Sequence, residues 1–297
     1  MTMSKIIFGI DVGGTTCKCG TFSKEGELLR KEEIPTRKDE GGSLILPDIS
    51  EYIKGVLADM NMTTEDVAGI GMGLPGACLE DGTVNKCINL GWGVFNAANV
   101  LSELTGIQVK IGNDANMAAL GEFWVGGGVI IDGKPIYGFN GAAGEIGHLP
   151  LVEGETESCN CGKKGCLEQV ASATGIVRTA NRMLAESDMP SSLRSVPYIS
   201  AKVIFDEAKG GDALAIQVTE YVCRYLGKGL ACAAGMVDPE VFVIGGGVSA
   251  AGEYFINLID KYYKECVFHA SRQTKIVKAA LGNDAGMYGA AKLILGN

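Results

Sequence analysis

The chain has 297 residues with 43 glycines, about twice the usual share, yet only 8 prolines, so it is neither collagen-like nor disordered. Apolar residues make up 46% and charged residues 21%, which suits about two domains, each with its own core. A net charge of −9, with 26 basic residues spread thinly, is the wrong balance for a protein that works on nucleic acid.

In chain order, Ile6-Ile7-Phe8-Gly9-Ile10 reads as a buried strand cut short by Asp11. No apolar run is long enough to span a bilayer, and so short a stretch argues against a signal peptide. The expectation is a cytoplasmic protein without a membrane partner. Asp11-Val12-Gly13-Gly14-Thr15-Thr16 then forms a turn before a second strand at 17–22. Two glycines and two hydroxyls in a hairpin turn expose several N–H groups in one concavity, which suits phosphate oxygens. Asp11 at the strand end is a candidate to hold Mg²⁺, directly or through water. An ordinary hairpin with a solvated aspartate is the bland alternative.

Helical spacing covers 47–60, and 67–72 returns to strand. Gly71-Met72-Gly73-Leu74-Pro75-Gly76 formally matches the dinucleotide fingerprint, but no helical pattern follows it. Gly73, Pro75 and Gly76 are better read as a rigid loop lining a pocket. No Walker sequence occurs. A helix at about 97–105 and a strand near 108–111 lead to Gly112-Asn113-Asp114, which caps a helix running to about Trp124. Asp114 is a capping residue by default and a general base if it faces a hydroxyl nucleophile. Gly112-Asn113-Asp114-Ala115 recurs as Gly282-Asn283-Asp284-Ala285, either an echo between two similar halves or two ordinary caps.

A hairpin at 129–131 and 135–139 turns on Asp132-Gly133. Helices dominate 172–236, a strand covers Val241–Ile244, and a last helix runs from about 285 to 295. Gly245, Gly246 and Gly247 directly after that strand suit close approach of a flat or charged ligand. Strands alternating with helices make the fold class α/β. The expected division is a small domain of 1–111 plus 285–297 and a large domain of 112–284.

Ten cysteines are present, and most sit singly in apolar stretches such as Leu230-Ala231-Cys232-Ala233, where a reduced buried thiol is expected. Cys159, Cys161 and Cys166 instead cluster in a glycine-rich loop downstream of His148, one of only two histidines. Three thiolates and one imidazole make a closed tetrahedral zinc site, structural because no ligand position stays open. Glu145 and Glu168 flank this loop. Each is either a solvated carboxylate or part of a grip on a polyhydroxylated molecule.

Together these segments resemble the ROK family of bacterial sugar kinases and repressors, within the two-lobed actin-like ATPase (ribonuclease H-like) fold. The resemblance is carried by Asp11-Val12-Gly13-Gly14-Thr15, Gly73-Leu74-Pro75-Gly76, Gly112-Asn113-Asp114-Ala115-Asn116, Gly141–His148 and the Cys159–Cys166 loop, with residues 243–248. Asn89-Leu90-Gly91-Trp92 and residues 166–172 look most like the glucokinase branch. The resemblance implies phosphoryl transfer from Mg·ATP to a hexose 6-hydroxyl, glucose first, with N-acetylmannosamine or fructose as alternatives. It implies Asp114 as catalytic base, and Gly73, Pro75, Gly76, Asn113, Asp114, Glu145, His148 and Glu168 at the sugar. Asp11, Gly13, Gly14, Thr15, Thr16 and Gly245–Gly247 would hold metal, phosphates and adenosine. His148, Cys159, Cys161 and Cys166 would hold Zn²⁺, and a homodimer is common in the family.

One departure stands out. After the helix ending near Trp124, family members carry a variable loop, a strand and a glycine-threonine phosphate turn. Here Trp124 runs directly into Val125-Gly126-Gly127-Gly128, the tail of that motif without its front. Either the natural protein carries a segment that this sequence omits, or it lacks its second phosphate loop and is a catalytically silent sugar sensor. No turn residues repair the junction, which favours the first. A sugar-responsive repressor would need a helix-turn-helix domain before the first strand, which begins at residue 5.

Overall fold

The computed structural model describes residues 5–121 and 128–295. The Trp124–Val125 junction lies outside the described residues. Strands β1 (Ile6–Val12), β2 (Thr16–Ser23) and β3 (Leu28–Pro35) are followed by a single irregular turn, α1 (Asp39–Gly42), and by α2 (Ile45–Asp59). Then come β4 (Val67–Leu74), the hairpin β5 (Thr83–Cys87) and β6 (Trp92–Asn96), α3 (Ala97–Thr105), β7 (Val109–Asn113) and α4 (Asp114–Gly121). A short hairpin, β8 (Ile130–Ile131) and β9 (Lys134–Pro135), precedes α5 (Glu168–Ala171), α6 (Ala173–Glu186), α7 (Ala201–Lys209) and α8 (Ala213–Val237). The chain continues through β10 (Val241–Ile244), α9 (Glu253–Cys266) and β11 (Lys275–Lys278) to α10 (Ala285–Leu295). The expected hairpin on Asp132-Gly133 is present, with both residues at positive φ as a two-residue hairpin turn requires.

The chain packs as two compact units, Met1–Gly144 with Leu281–Asn297, and Glu145–Ala280. These boundaries differ from the expected division at 111/112 and 284/285. Residues 112–144 and 281–284 go with the first unit because α4 packs on α10 and β4 rather than within a separate body.

The first unit is built on a five-stranded sheet in the order β3-β2-β1-β4-β7. β1, β2 and β3 pair antiparallel, whereas β1, β4 and β7 run parallel. Period-two alternation divides β1 between the two faces. Ile6, Phe8 and Ile10 join the core that includes Ile49 and Ile53 of α2. Ile7 packs with Phe22, Met287 and Ala291 on the α10 side. Gly9 and Asp11 share the parity of Ile7 and so face α10.

That helix lies almost in backbone contact with the sheet. A Cβ added at Gly71 would stand 1.7 Å from the Ala290 carbonyl oxygen, and one at Gly9 would stand 2.3 Å from that of Met287. Gly286, Gly289, Ala290 and Ala291, all buried, give α10 a face thin enough to fit. Glycine is costly within a strand, so its use here reflects the close approach.

The second unit is mainly helical. Ser172, Ser200 and Asp212 each accept a hydrogen bond from a backbone N–H three residues on, which sets where α6, α7 and α8 begin. Ile176, Phe205, Val218, Val222, Phe255, Ile259 and Tyr263 fill the core between these helices and α9. β10 pairs in parallel with β11.

Cys17, Cys19, Cys78, Cys87 and Cys223 are buried as expected, but Cys232 and Cys266 are exposed. The apolar stretch around Cys232 misleads because Leu230 and Ala234, four residues apart, take the buried side of α8 and turn Cys232 outward. No helix among the described residues is long and apolar enough to cross a membrane.

Two alanine substitutions separate close packing from glycine's intrinsic cost. Gly71→Ala must push α10 off the sheet and is expected to destabilise by about 1–3 kcal/mol or more. Gly55→Ala, on an exposed position of α2 with no atom within 4 Å of the new Cβ, should stabilise by about 0.5–1 kcal/mol. Urea unfolding of both variants measures the opposite signs.

Candidate active site and metal centre

The turn between β1 and β2 borders a cavity of about 430 Å³ lined by Asp11, Gly13, Gly14, Thr16, Pro75 and Asp114, with Lys18, Asn89, Gly282, Ala285 and Gly286 among the other residues. Six residues singled out in the sequence therefore come together within the first unit. Thr15 is exposed and does not line the cavity. Asp11 ends its run on the α10 face, where a Cβ at Gly286 would meet its carboxylate at 2.7 Å. Only a glycine in that first turn leaves room for the side chain. Burial raises the Asp11 pKa, the facing Lys18 opposes that shift, and Asp284 adds to it.

Asp114 opens α4 directly after β7, so its carboxylate stands at a helix N-terminus on the cavity wall. The neighbouring Asn113 is buried and largely committed to structure. Its Oδ1 accepts from the Asn116 N–H at 3.2 Å, capping the helix, and its Nδ2 donates to the Gly76 carbonyl at 3.1 Å. Asn113 thereby ties the Pro75-Gly76 loop to the start of α4. After Gly76 the chain turns into β5 and forms no helix among residues 77–82, in keeping with the rejection of a dinucleotide site. Gly73 lies beside Asp11, with 3.7 Å between its added Cβ and Asp11 Oδ1.

Lys18, Asn89 and Gly286 were not singled out as site residues. The hairpin register pairs Lys18 with Asp11, so strand alternation carries a signal for it. Gly282 and Ala285 belong to the second copy of the Gly-Asn-Asp-Ala echo. α4 and α10 pack on one another, and residues from the start of each line the cavity.

In the second unit, the ligand atoms of His148, Cys159, Cys161 and Cys166 all lie within 4.8 Å of one another. Cys159 Sγ is 3.7 Å from His148 Nδ1, and Cys161 Sγ is 3.6 Å from Cys166 Sγ. A tetrahedral zinc ion spaces such donors by about 3.5–3.8 Å, so the donor set fits. Gly162 and Gly165, both at positive φ, form the turns between the thiols. The Lys163 N–H holds the Cys161 thiol below its ordinary range, while burial pushes Cys159 and Cys166 up.

Gln169 braces this knuckle. Its Oε1 accepts from the Gly165 and Cys166 N–H groups at 2.8 and 3.1 Å, and its Nε2 donates to the Glu157 carbonyl. Arg178 holds Glu155, Glu157 and the Gln169 carbonyl from the other side. Glu168 opens α5, with Oε1 2.7 Å from Cys159 Sγ and 3.8 Å from His148 Nδ1. Burial raises the Glu145 pKa, His148 opposes the shift, and Glu168 adds to it. Gly245–Gly247 follow β10, with Gly246 at positive φ and open space over Gly247.

The ROK family profile matches residues 7–297. The chain belongs to the ROK family. A glucokinase of Halalkalibacterium halodurans is 38% identical over 309 residues, covering 96% of this chain and 94% of the relative. A glucokinase of Thermotoga maritima is 32% identical, with 97% and 96% covered. The crystal structure of a ROK family glucokinase from Streptomyces griseus, in complex with glucose and AMPPNP, is 30% identical with a TM-score of 0.73, covering 97% of this chain and 98% of that one. The first alignment is longer than this ROK chain, so that relative carries residues without a counterpart here.

Two measurements test the site. Gln169→Leu strands two N–H groups of the knuckle and should weaken zinc affinity about 10–100-fold in a chelator competition, against one zinc per chain in the wild type. Asp11 has a raised folded pKa, so its ionised form costs stability above the unfolded value near 3.8 and the cost is relieved as pH falls. Asp11→Asn should therefore raise the urea midpoint of the ligand-free protein at neutral pH.

Proposed function

We propose that this chain transfers the γ-phosphoryl group of ATP to the 6-hydroxyl of a hexose, with glucose the preferred substrate. The observation that carries this reading is the shared cavity of Asp114, Asp11 and the Gly13–Thr16 turn in a member of the ROK family. The glucokinase names of its relatives support the choice of sugar. Asp114 would accept the proton of the attacking hydroxyl as the new O–P bond forms and the bond to ADP breaks. N–H groups of Gly14, Thr15 and Thr16 would bind phosphate oxygens in the turn that the Gly13 N–H closes, and Gly245–Gly247 would let adenosine approach the backbone.

Asp11 is the carboxylate suited to Mg²⁺, standing half-buried on the wall of a cavity of nucleotide-phosphate size. The cation, when bound, neutralises phosphate charge. Lys18 adds a positive charge on the same wall. Gly73, Pro75, Gly76, Asn113, Glu145, His148 and Glu168 are the proposed sugar-holding residues. With Nδ1 turned to the thiol cluster, His148 keeps Nε2 for a hydroxyl, and its place among the four donors would fix its ring when zinc is bound. A cytoplasmic homodimer completes the proposal.

A second reading, a sugar sensor without turnover, draws on the residues of the Halalkalibacterium relative that have no counterpart here. A coupled ATP assay over glucose, mannose, fructose, N-acetylmannosamine and N-acetylglucosamine separates the two. The kinase reading expects the highest kcat/KM with glucose. It also expects kcat to fall by about 10²–10⁴-fold in Asp114→Asn while glucose binding by calorimetry persists. Glucose binding without ATP consumption by the wild type would leave the sensor.

A further inference from the structure

The Gly13–Thr16 turn is too short to hold its own shape. Its internal tie is one hydrogen bond, from the Gly13 N–H to the Thr16 carbonyl at 3.0 Å. The Gly13 carbonyl points away from that bond and meets a residue that belongs to none of the motifs. Thr36 Oγ1 donates to it at 2.8 Å, and the Thr36 N–H donates to the Thr15 carbonyl at 2.9 Å. One buried threonine just beyond β3 thus grips both sides of the turn.

The donor order around Thr36 is fixed. Its hydroxyl proton is used on Gly13, so Oγ1 must accept from the Cys17 thiol 3.4 Å away. Burial pushes the Cys17 thiol up to about 11, so that proton is present at neutral pH. On the far side Arg37 pairs with Asp48 of α2, with Nε 2.7 Å from Oδ2. Thr36 itself does not line the cavity, whereas Gly13, Gly14 and Thr16 do.

We infer that Thr36 is a positioning residue for ATP: its hydroxyl fixes the Gly13–Gly14 peptide plane so that the N–H groups of Gly14, Thr15 and Thr16 converge on phosphate oxygens. The inference rests on the kinase reading above. It predicts an effect on nucleotide and not on sugar, because the bonds that hold the Pro75-Gly76 loop and Asn113 do not involve Thr36.

Thr36→Val keeps the shape and removes the donor. It should raise KM for ATP roughly five- to tenfold, the size of one lost hydrogen bond, with KM for glucose unchanged. Binding of AMPPNP by calorimetry should weaken by the same factor. Thr36→Ser, which retains the hydroxyl, should restore both. Arg37→Ala removes only an exposed ion pair and should leave KM for ATP unchanged.

If Thr36→Val does not fold, Thr36→Ala against Thr36→Ser gives the same comparison. An unchanged KM for ATP in the hydroxyl-free variant, or an equal rise in Arg37→Ala, overturns the inference. A wild type that consumes no ATP with any sugar overturns the kinase reading instead, and AMPPNP binding then still decides whether Thr36 shapes a nucleotide site.

Discussion

The contact on which the first unit depends is the seating of α10 against the bare backbone of β1 and β4. Side chains normally keep a helix and a sheet about 10 Å apart, and burial of those side chains supplies the stabilisation. Here Gly9 and Gly71 surrender that burial, and the helix carbonyls of Met287 and Ala290 come down to the strands. The return is positional. At this separation the first turn of α10 reaches the Asp11 carboxylate, and Gly286 leaves space for it. A helix held further out would leave Asp11 in open solvent with an ordinary carboxylate pKa. The half-buried acid, the cavity wall and the lining by Gly282 and Ala285 all follow from one close approach.

The second unit solves a different problem, holding a glycine-rich loop whose apolar flank, Val152, Leu167 and Val170, packs with Tyr221 and Tyr225 of α8. The rest of its support is polar. Gln169 and Arg178 supply hydrogen bonds from three sides, and four converging metal donors supply the cross-link. Glu168 sits between the two systems, next in sequence to Gln169 and in contact with Cys159. Any movement of the knuckle is therefore transmitted to that carboxylate through less than one helical turn.

How much of this could be read from residues alone depended on whether the signal was local. The Gly13–Thr16 turn, the start of α4 after Gly112-Asn113, the four candidate metal donors and the elements β10, α3 and α10 are contiguous motifs, and they appear where expected. β3 escaped notice because Arg30, Lys31, Glu32 and Glu33 make it resemble a solvated surface segment. It is an edge strand, and its pairing with β2 is decided by tertiary contacts. Gly286, Lys18 and Thr36 take their meaning from which face of a strand or helix they share with Asp11 or Gly13. Face assignments of that kind need the register of the sheet and the docking of α10, neither of which is written in any short stretch. The division into units is non-local in the same way, since α4 packs on α10, which begins only at Ala285.

The insertion of residues 145–280 between the two parts of the first unit also has a consequence for assembly in time. The second unit is continuous in sequence and contains its own core and metal donors, so it can fold as soon as its residues leave the ribosome. The sheet of the first unit is made early yet stays uncovered on its glycine face until α10 is translated. Contacts of such sequence separation slow folding. During that interval the nascent chain has neither the Asp11 pocket nor the cavity, so any activity there switches on only once α10 has docked.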